Sequence, residues 1–111
     1  MKLSGEVSGD MLIVRVDEPR IDAAGAIQFK ERMREVTSEG PARVVLDLSG
    51  VGFLDSSGLG AVVAVMKLLL PARKLELAGL TPTVEKVFRL TRMDSVFAIH
   101  ATVPGALRDA S

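Results

Sequence analysis

Val44-Val45-Leu46-Asp47-Leu48-Ser49-Gly50-Val51-Gly52-Phe53-Leu54-Asp55-Ser56-Ser57-Gly58-Leu59-Gly60 places an apolar run, a glycine-rich loop and a polar tetrapeptide in succession at the middle of the chain. The run from Ala42 to Leu48 is almost continuously apolar, the pattern of a strand covered on both faces in a parallel sheet flanked by helices. Ser49-Gly50-Val51-Gly52 reads as the turn that leaves this central strand. From about Ser57 to Leu70 the pattern becomes helical, and Pro71 halts it because proline lacks the N–H a helix needs. This helix is apolar on nearly every side, which predicts that most of it is covered.

Outward from that block, two apolar runs open the chain, Leu3 to Val7 and Met11 to Val16. Ser8-Gly9-Asp10 between them supplies the φ > 0 residue of a hairpin turn. Asp22 stands where an N-cap would. After it Ala23, Ala26, Phe29, Met33 and Val36 recur at helical spacing, one apolar stripe that Gly40-Pro41 ends. Downstream, Lys74-Leu75-Glu76-Leu77-Ala78 alternates with period two and reads as a strand. Thr81-Pro82 gives an N-cap and a first-turn proline, and the helix behind it carries Val84, Val87, Phe88 and Thr91 on one face. A short strand at Val96 to Ile99 and a weak helix after Pro104 complete the chain. The alternation predicts one α/β domain over residues 1–111, with a mixed four- to five-stranded β-sheet and about four α-helices.

The 111 residues include no Cys, Trp or Tyr, and 14 Lys and Arg balance 14 Asp and Glu. At 48% hydrophobic and 25% charged the composition is that of a folded domain, too small for a deep substrate cavity. Without cysteine there are no disulfides, thiolate nucleophiles or thiolate metal sites, and with His100 as the one histidine few metal ligands remain. Zero formal charge and four phenylalanines argue against nucleic acid, which rewards excess cations and stacking aromatics. The stretch from Met1 to Glu6 lacks the features of a signal peptide. Leu59 to Leu70 contains Lys67 and falls short of the ~20 residues of a membrane span. The expected setting is the cytoplasm, with no membrane insertion.

Nucleophilic catalysis needs a base beside the serine and a group to orient that base. His100 is the single histidine candidate and no G-x-S-x-G elbow is present, so a hydrolase built on Ser56 and His100 is disfavoured. His100, beside the last strand, reads as partly exposed surface. Neither Gly50-Val51-Gly52 nor Gly58-Leu59-Gly60 completes a phosphate-binding motif. Gly58 and Gly60 fall in a helical first turn, where glycine costs up to about 1 kcal/mol against alanine. That cost points to a close backbone approach, to a neighbouring strand or to a partner. Asp47 and Asp55 read as residues bonding local amides, Asp55 as a helix cap, in preference to an acid/base pair. The tetrapeptide Asp55-Ser56-Ser57-Gly58 then has two readings. It is a capping turn, or it presents hydroxyls beside unpaired N–H groups at a helix N-terminus, where a kinase can reach them and the helix dipole tolerates phosphate.

The stretch from Val44 to Gly60 resembles the signature of STAS domains, specifically the small bacterial anti-sigma factor antagonists. Leu75-Glu76-Leu77-Ala78-Gly79-Leu80-Thr81-Pro82-Thr83-Val84 is similar to that family's fourth strand and following helix start. Leu90-Thr91-Arg92-Met93-Asp94-Ser95-Val96-Phe97 resembles its C-terminal passage from helix to strand, and Ile21-Asp22 stands where an aspartate opens its first helix. The resemblance implies a non-enzymatic STAS-type domain without cofactor or metal. It implies Ser56 as a phosphorylation site for a partner that is both anti-sigma factor and serine kinase, with a PP2C-type phosphatase reversing the step. Partner contacts are then expected at Asp22, Asp55, Ser56, Ser57, Gly58 and Leu59. The alternative is a STAS domain serving, without phosphorylation, as a stressosome scaffold or as a subunit of a lipid-transport complex. Two departures stand out. Glu18-Pro19-Arg20 replaces the glycine and acidic residue common before the aspartate, which changes the expected partner-facing edge. Pro71-Ala72-Arg73 replaces a glycine pair and reads as a loop change.

Overall fold

A computed structural model describes residues 1–105. In chain order its elements are β1 (Leu3–Ser8), β2 (Met11–Val16), β3 (Arg20–Ile21), α1 (Ala26–Val36), β4 (Arg43–Asp47), β5 (Phe53–Leu54), α2 (Ser56–Leu69), β6 (Lys74–Ala78), α3 (Pro82–Leu90), a 3₁₀ turn at Met93–Ser95, and β7 (Ile99–His100). β1 and β2 form the expected antiparallel hairpin, with Ser8 opposite Met11. Gly9 turns it at φ 59°, the left-handed region that costs glycine least. Every later pairing is parallel, and the sheet runs β1-β2-β4-β6-β7. β3 and β5 pair separately, Arg20 opposite Phe53 and Ile21 opposite Leu54.

One sheet face carries the large core. Leu12, Val14, Val44, Leu46, Leu75 and Leu77 meet Phe29 and Met33 of α1, Ala61, Val62 and Val65 of α2, and Val84 and Phe88 of α3. Each such large side chain contributes about 1.5–3 kcal/mol by leaving water. The opposite face holds a smaller group, Met11, Val45 and Ala78, with Ile13 and Val103 beside it. Val44, Val45 and Leu46 are all fully buried, so the central strand is covered on both faces as its composition predicted.

Several expectations shift. α1 begins at Ala26, not after Asp22, because Asp22 accepts Gly25 N–H with both its carbonyl (3.0 Å) and its side chain (3.3 Å). This closes a turn over Ala23 to Gly25 before the helix starts. The outer side of α2 is less covered than its apolar character predicted: Leu68 is 52% exposed, and Leu70, just past the helix, 48%. The last strand is Ile99–His100 rather than Val96 to Ile99. The 3₁₀ turn leaves Val96 exposed and swings Phe97 inward, edge-on to Phe88 at 5.8 Å between centroids. Thr81 opens α3 without a side-chain cap, its hydroxyl donating instead to Val51 carbonyl at 2.8 Å. Pro71-Ala72-Arg73 is more than a loop change, because Arg73 donates to the Thr37, Glu39 and Pro41 carbonyls and ties down the chain after α1. The described residues contain three α-helices; the weak helix read after Pro104 falls on residues 106–111, outside the described residues. Among the described residues no helix is long and apolar enough to cross a membrane.

Candidate functional site

Asp55 caps α2 in an extended conformation, φ −97° and ψ −174°. Its Oδ1 accepts Gly58 N–H at 2.8 Å and its Oδ2 accepts Ala23 N–H at 3.2 Å, so one carboxylate joins the first turn of α2 to the loop before α1. The Asp55 N–H donates to Ile21 carbonyl at 3.4 Å. Gly58 closes the arrangement: a Cβ there would stand 2.0 Å from Ile21 O, a backbone atom that cannot yield cheaply. The backbone approach inferred from the glycine cost is therefore real at Gly58, and its neighbour is β3. Gly60 has nothing within 4 Å of such a Cβ and faces solvent.

The altered segment Glu18-Pro19-Arg20 has a definite place here. Pro19 carbonyl accepts the N–H groups of Gly52 and Phe53, at 2.9 and 3.2 Å. The Arg20 guanidinium lies 4.5 Å over the Phe53 ring and its Nε donates to Asp22 Oδ2 at 3.2 Å. The Arg20 hydrogen bond is the main cause holding the Asp22 carboxyl below the usual carboxylate range, against the opposing effect of partial burial. An open recess of about 300 Å³ beside Asp22 is lined by Met1, Glu18, Pro19, Arg20, Gly25 and Gln28.

Within this frame Ser56 and Ser57 are exposed, Leu59 is half-buried and packs onto the core, and Gly58 is buried, leaving it to position the serines rather than present a surface. The first turn of a helix offers its N–H groups no internal acceptor. Asp55 satisfies Gly58, while Ser56 and Ser57 keep backbone donors and hydroxyls at the surface, at the positive end of the α2 dipole. Among the described residues no cation pairs with Asp55; its charge is met by amide dipoles alone. The arrangement leaves two exposed hydroxyls at the start of α2, directly after the capping Asp55 carboxylate.

Ser56 and His100 are not brought together. His100 Nε2 lies 2.8 Å from Glu76 Oε1, and Arg43 clasps the same carboxylate through Nε at 2.8 Å and Nη2 at 2.9 Å. Asp10 faces Arg43 from the hairpin at 3.5 Å. Glu76 is 5% exposed, and its pKa falls to about 2, chiefly through the Arg43 hydrogen bond; burial opposes this and His100 assists it. Sequence reasoning treated Glu76 as one polar step of an alternating strand. The signal that reveals the cluster is register: Val45 pairs with Glu76 and Ala78 with His100, setting Arg43 and His100 diagonally across the same sheet face. Asp47 Oδ1 accepts Ser49 N–H at 3.0 Å, so Asp47 and Asp55 bond separate turns. Among the described residues no three His, Asp or Glu side chains gather as metal ligands.

Known proteins share this architecture. BtrV of Bordetella bronchiseptica, named as an anti-sigma factor antagonist, is 32% identical over 100 residues, which span 89% of this chain and 85% of BtrV. The crystal structure of an anti-sigma factor antagonist from Mycobacterium paratuberculosis is 26% identical and aligns with a TM-score of 0.83, covering 97% of this chain and 92% of the other. The Bacillus cell fate determinant SpoIIAA, in its phosphorylated form, aligns with a TM-score of 0.67 at 21% identity over 99% of this chain and all of that one, a likeness of fold alone. The STAS domain model matches residues 2–106, from the hairpin through the capped serines to the segment past β7. The chain therefore belongs to the STAS domain family.

Proposed function

We propose that this protein is an anti-sigma factor antagonist switched at Ser56. In the unphosphorylated form it binds an anti-sigma factor and so releases a sigma factor. The anti-sigma factor, acting as a serine kinase, phosphorylates Ser56 and ends the complex; a PP2C-type phosphatase restores it. The observation that carries this reading is the exposed Ser56 hydroxyl on a first turn fixed by Asp55 and Gly58. The names borne by BtrV and the mycobacterial structure support the partner class.

The chemistry of the site explains how one phosphate suffices. Phosphoserine adds about −1.5 to −2 charge. The α2 dipole and the free N–H groups make that charge tolerable in the isolated domain. A docked partner surface excludes water, and there the phosphate adds bulk, desolvation and repulsion from Asp55. Each 1.4 kcal/mol lost weakens a complex tenfold, so a penalty of a few kcal/mol removes it. Asp22, Asp55, Ser56, Ser57 and Leu59 form the contact surface, and Gly58 holds it in place.

The test is incubation with ATP and a cognate anti-sigma kinase, read by intact-protein mass spectrometry. The wild type is expected to gain one phosphate and Ser56→Ala none; an unchanged signal in Ser56→Ala overturns the assignment. Binding to the same partner is expected to be lost in Ser56→Glu. The chain has no Trp or Tyr, so tryptophan fluorescence from the partner reports complex formation without interference.

A further inference from the structure

The C-terminal half of α2 differs from its serine end and faces a different neighbour. Leu68 lies twelve residues beyond Ser56, about 18 Å along the helix. There α1 and α2 leave a groove of about 300 Å³ lined by Lys30, Arg34, Ala64, Val65, Lys67 and Leu68. A second recess of about 330 Å³ shares Arg34 and Leu68 and continues the groove to Arg73. Its floor is apolar, since Val65 is buried, Ala64 half-buried and Leu68 52% exposed.

The rim is cationic from both sides. Lys30 and Arg34 stand one turn apart on α1, and Lys67 belongs to α2. Among the described residues none of these three pairs with a carboxylate, whereas Arg15, Arg20, Arg32, Arg43 and Arg89 all do. Cations near helix C-termini suit the dipole, which accounts for Arg34 and Lys67 but not for a half-exposed leucine between them. We infer that the α1–α2 groove docks an acidic amphipathic helix of a partner protein. The partner's apolar stripe seats on Ala64, Val65 and Leu68, and its flanking Asp or Glu side chains meet Lys30, Arg34 and Lys67. Concavity favours a helix over a lipid surface, because a flat bilayer does not enter a groove between two helices. This surface is separate from the Ser56 switch and does not rest on it.

The experiment titrates the ¹⁵N-labelled protein with a synthetic helical peptide bearing Leu on one stripe and Glu on both flanks. A scrambled peptide of equal composition and phosphatidylglycerol vesicles run in parallel. Saturable amide shifts are expected at Lys30, Arg34 and Ala64 to Leu68. Lys30→Glu combined with Lys67→Glu is expected to weaken binding at least about tenfold, or about 1.4 kcal/mol. Lys86→Glu, a charge reversal on α3, is expected to leave it within about twofold. Circular dichroism checks folding, and the milder Lys67→Gln replaces the double variant if that fails to fold. Equal binding of the scrambled peptide, shifts elsewhere or no saturation overturns the proposal. Sedimentation with vesicles without a peptide response overturns it in favour of a lipid surface.

Discussion

Asp55 and Glu76 are both carboxylates that tie distant segments together, and they are satisfied in opposite ways. Asp55 accepts only backbone N–H groups, from Gly58 and Ala23, and no cation pairs with it among the described residues. Glu76 is clasped by Arg43 and His100 and is 5% exposed. The Glu76 cluster is closed: its charges compensate one another and contribute to stability. The Asp55 cluster is open, with an uncompensated charge fixed next to exposed hydroxyls. Under the proposed switch a phosphate on Ser56 would add to that charge, and a docked partner would feel the sum. Polarity that is fully paired supports the fold, and polarity that the backbone positions but leaves uncompensated is available to a switch.

The largest effect is expected where the open cluster is held down. In Gly58→Ala the new Cβ meets Ile21 O at 2.0 Å, so the first turn of α2 must move off β3 and the Asp55 bonds go with it. Overpacking against backbone with loss of a cap costs about 3 kcal/mol or more, a fall in Tm of more than about 10 °C for a domain of this size. Thermal melting followed by circular dichroism measures it. Gly60→Ala, two residues on and facing open space, is the internal control and is expected to leave the Tm unchanged or raised. A Tm for Gly58→Ala equal to that of the control would mean that β3 does not frame the serines.

The closed cluster gives the next effect, with a pH signature of its own. The pKa of Glu76 is about 2 in the fold against an ordinary 4.5, so the folded state favours the ionised form. Its contribution is fully present above pH 4.5 and is lost as pH falls toward 2. Glu76→Gln is expected to cost about 2 kcal/mol at neutral pH, reduced from the full linkage value because Arg43 is partly solvent-screened. Urea denaturation of both proteins at stepped pH should show the difference shrinking between pH 4.5 and 2. A difference that stays constant with pH would show that packing, not the ion cluster, is what the substitution removes.

These two clusters were unequally legible. The Asp55 cap and the Gly58 approach follow from local rules, since a cap acts three residues ahead and glycine early in a helix needs a reason. The hairpin at Gly9 and the buried central strand were legible for the same local reason. Glu76 requires knowing which strands pair and in what register, information that no single segment holds. β3 and β5 are two residues each, too short to show a period, although their pairing positions Ile21 beneath Gly58. Asp22 carried a correct signal placed one turn early, because its side chain closes a turn before α1 rather than capping the helix itself. The exposure of Leu68 depends on how far α1 reaches along α2, a tertiary fact that an apolar helix sequence conceals.

The smallest effect on stability separates the cap from the charge. Asparagine serves at an N-cap as well as aspartate, so in Asp55→Asn the amide oxygen still accepts Gly58 N–H. The amide nitrogen then faces Ala23 N–H, donor against donor, and that one bond is lost, a cost of about 1 kcal/mol. The negative charge beside Ser56 is gone as well. If that charge helps a phosphate disrupt the complex, phosphorylation should cost Asp55→Asn less affinity for the anti-sigma partner than it costs wild type, each phosphorylated form being compared with its own unphosphorylated form. Isothermal titration of the four species measures the difference. Equal loss of affinity on phosphorylation in both proteins would place the whole effect in the bulk and desolvation of the phosphate, and would reduce Asp55 to the same structural role as Glu76.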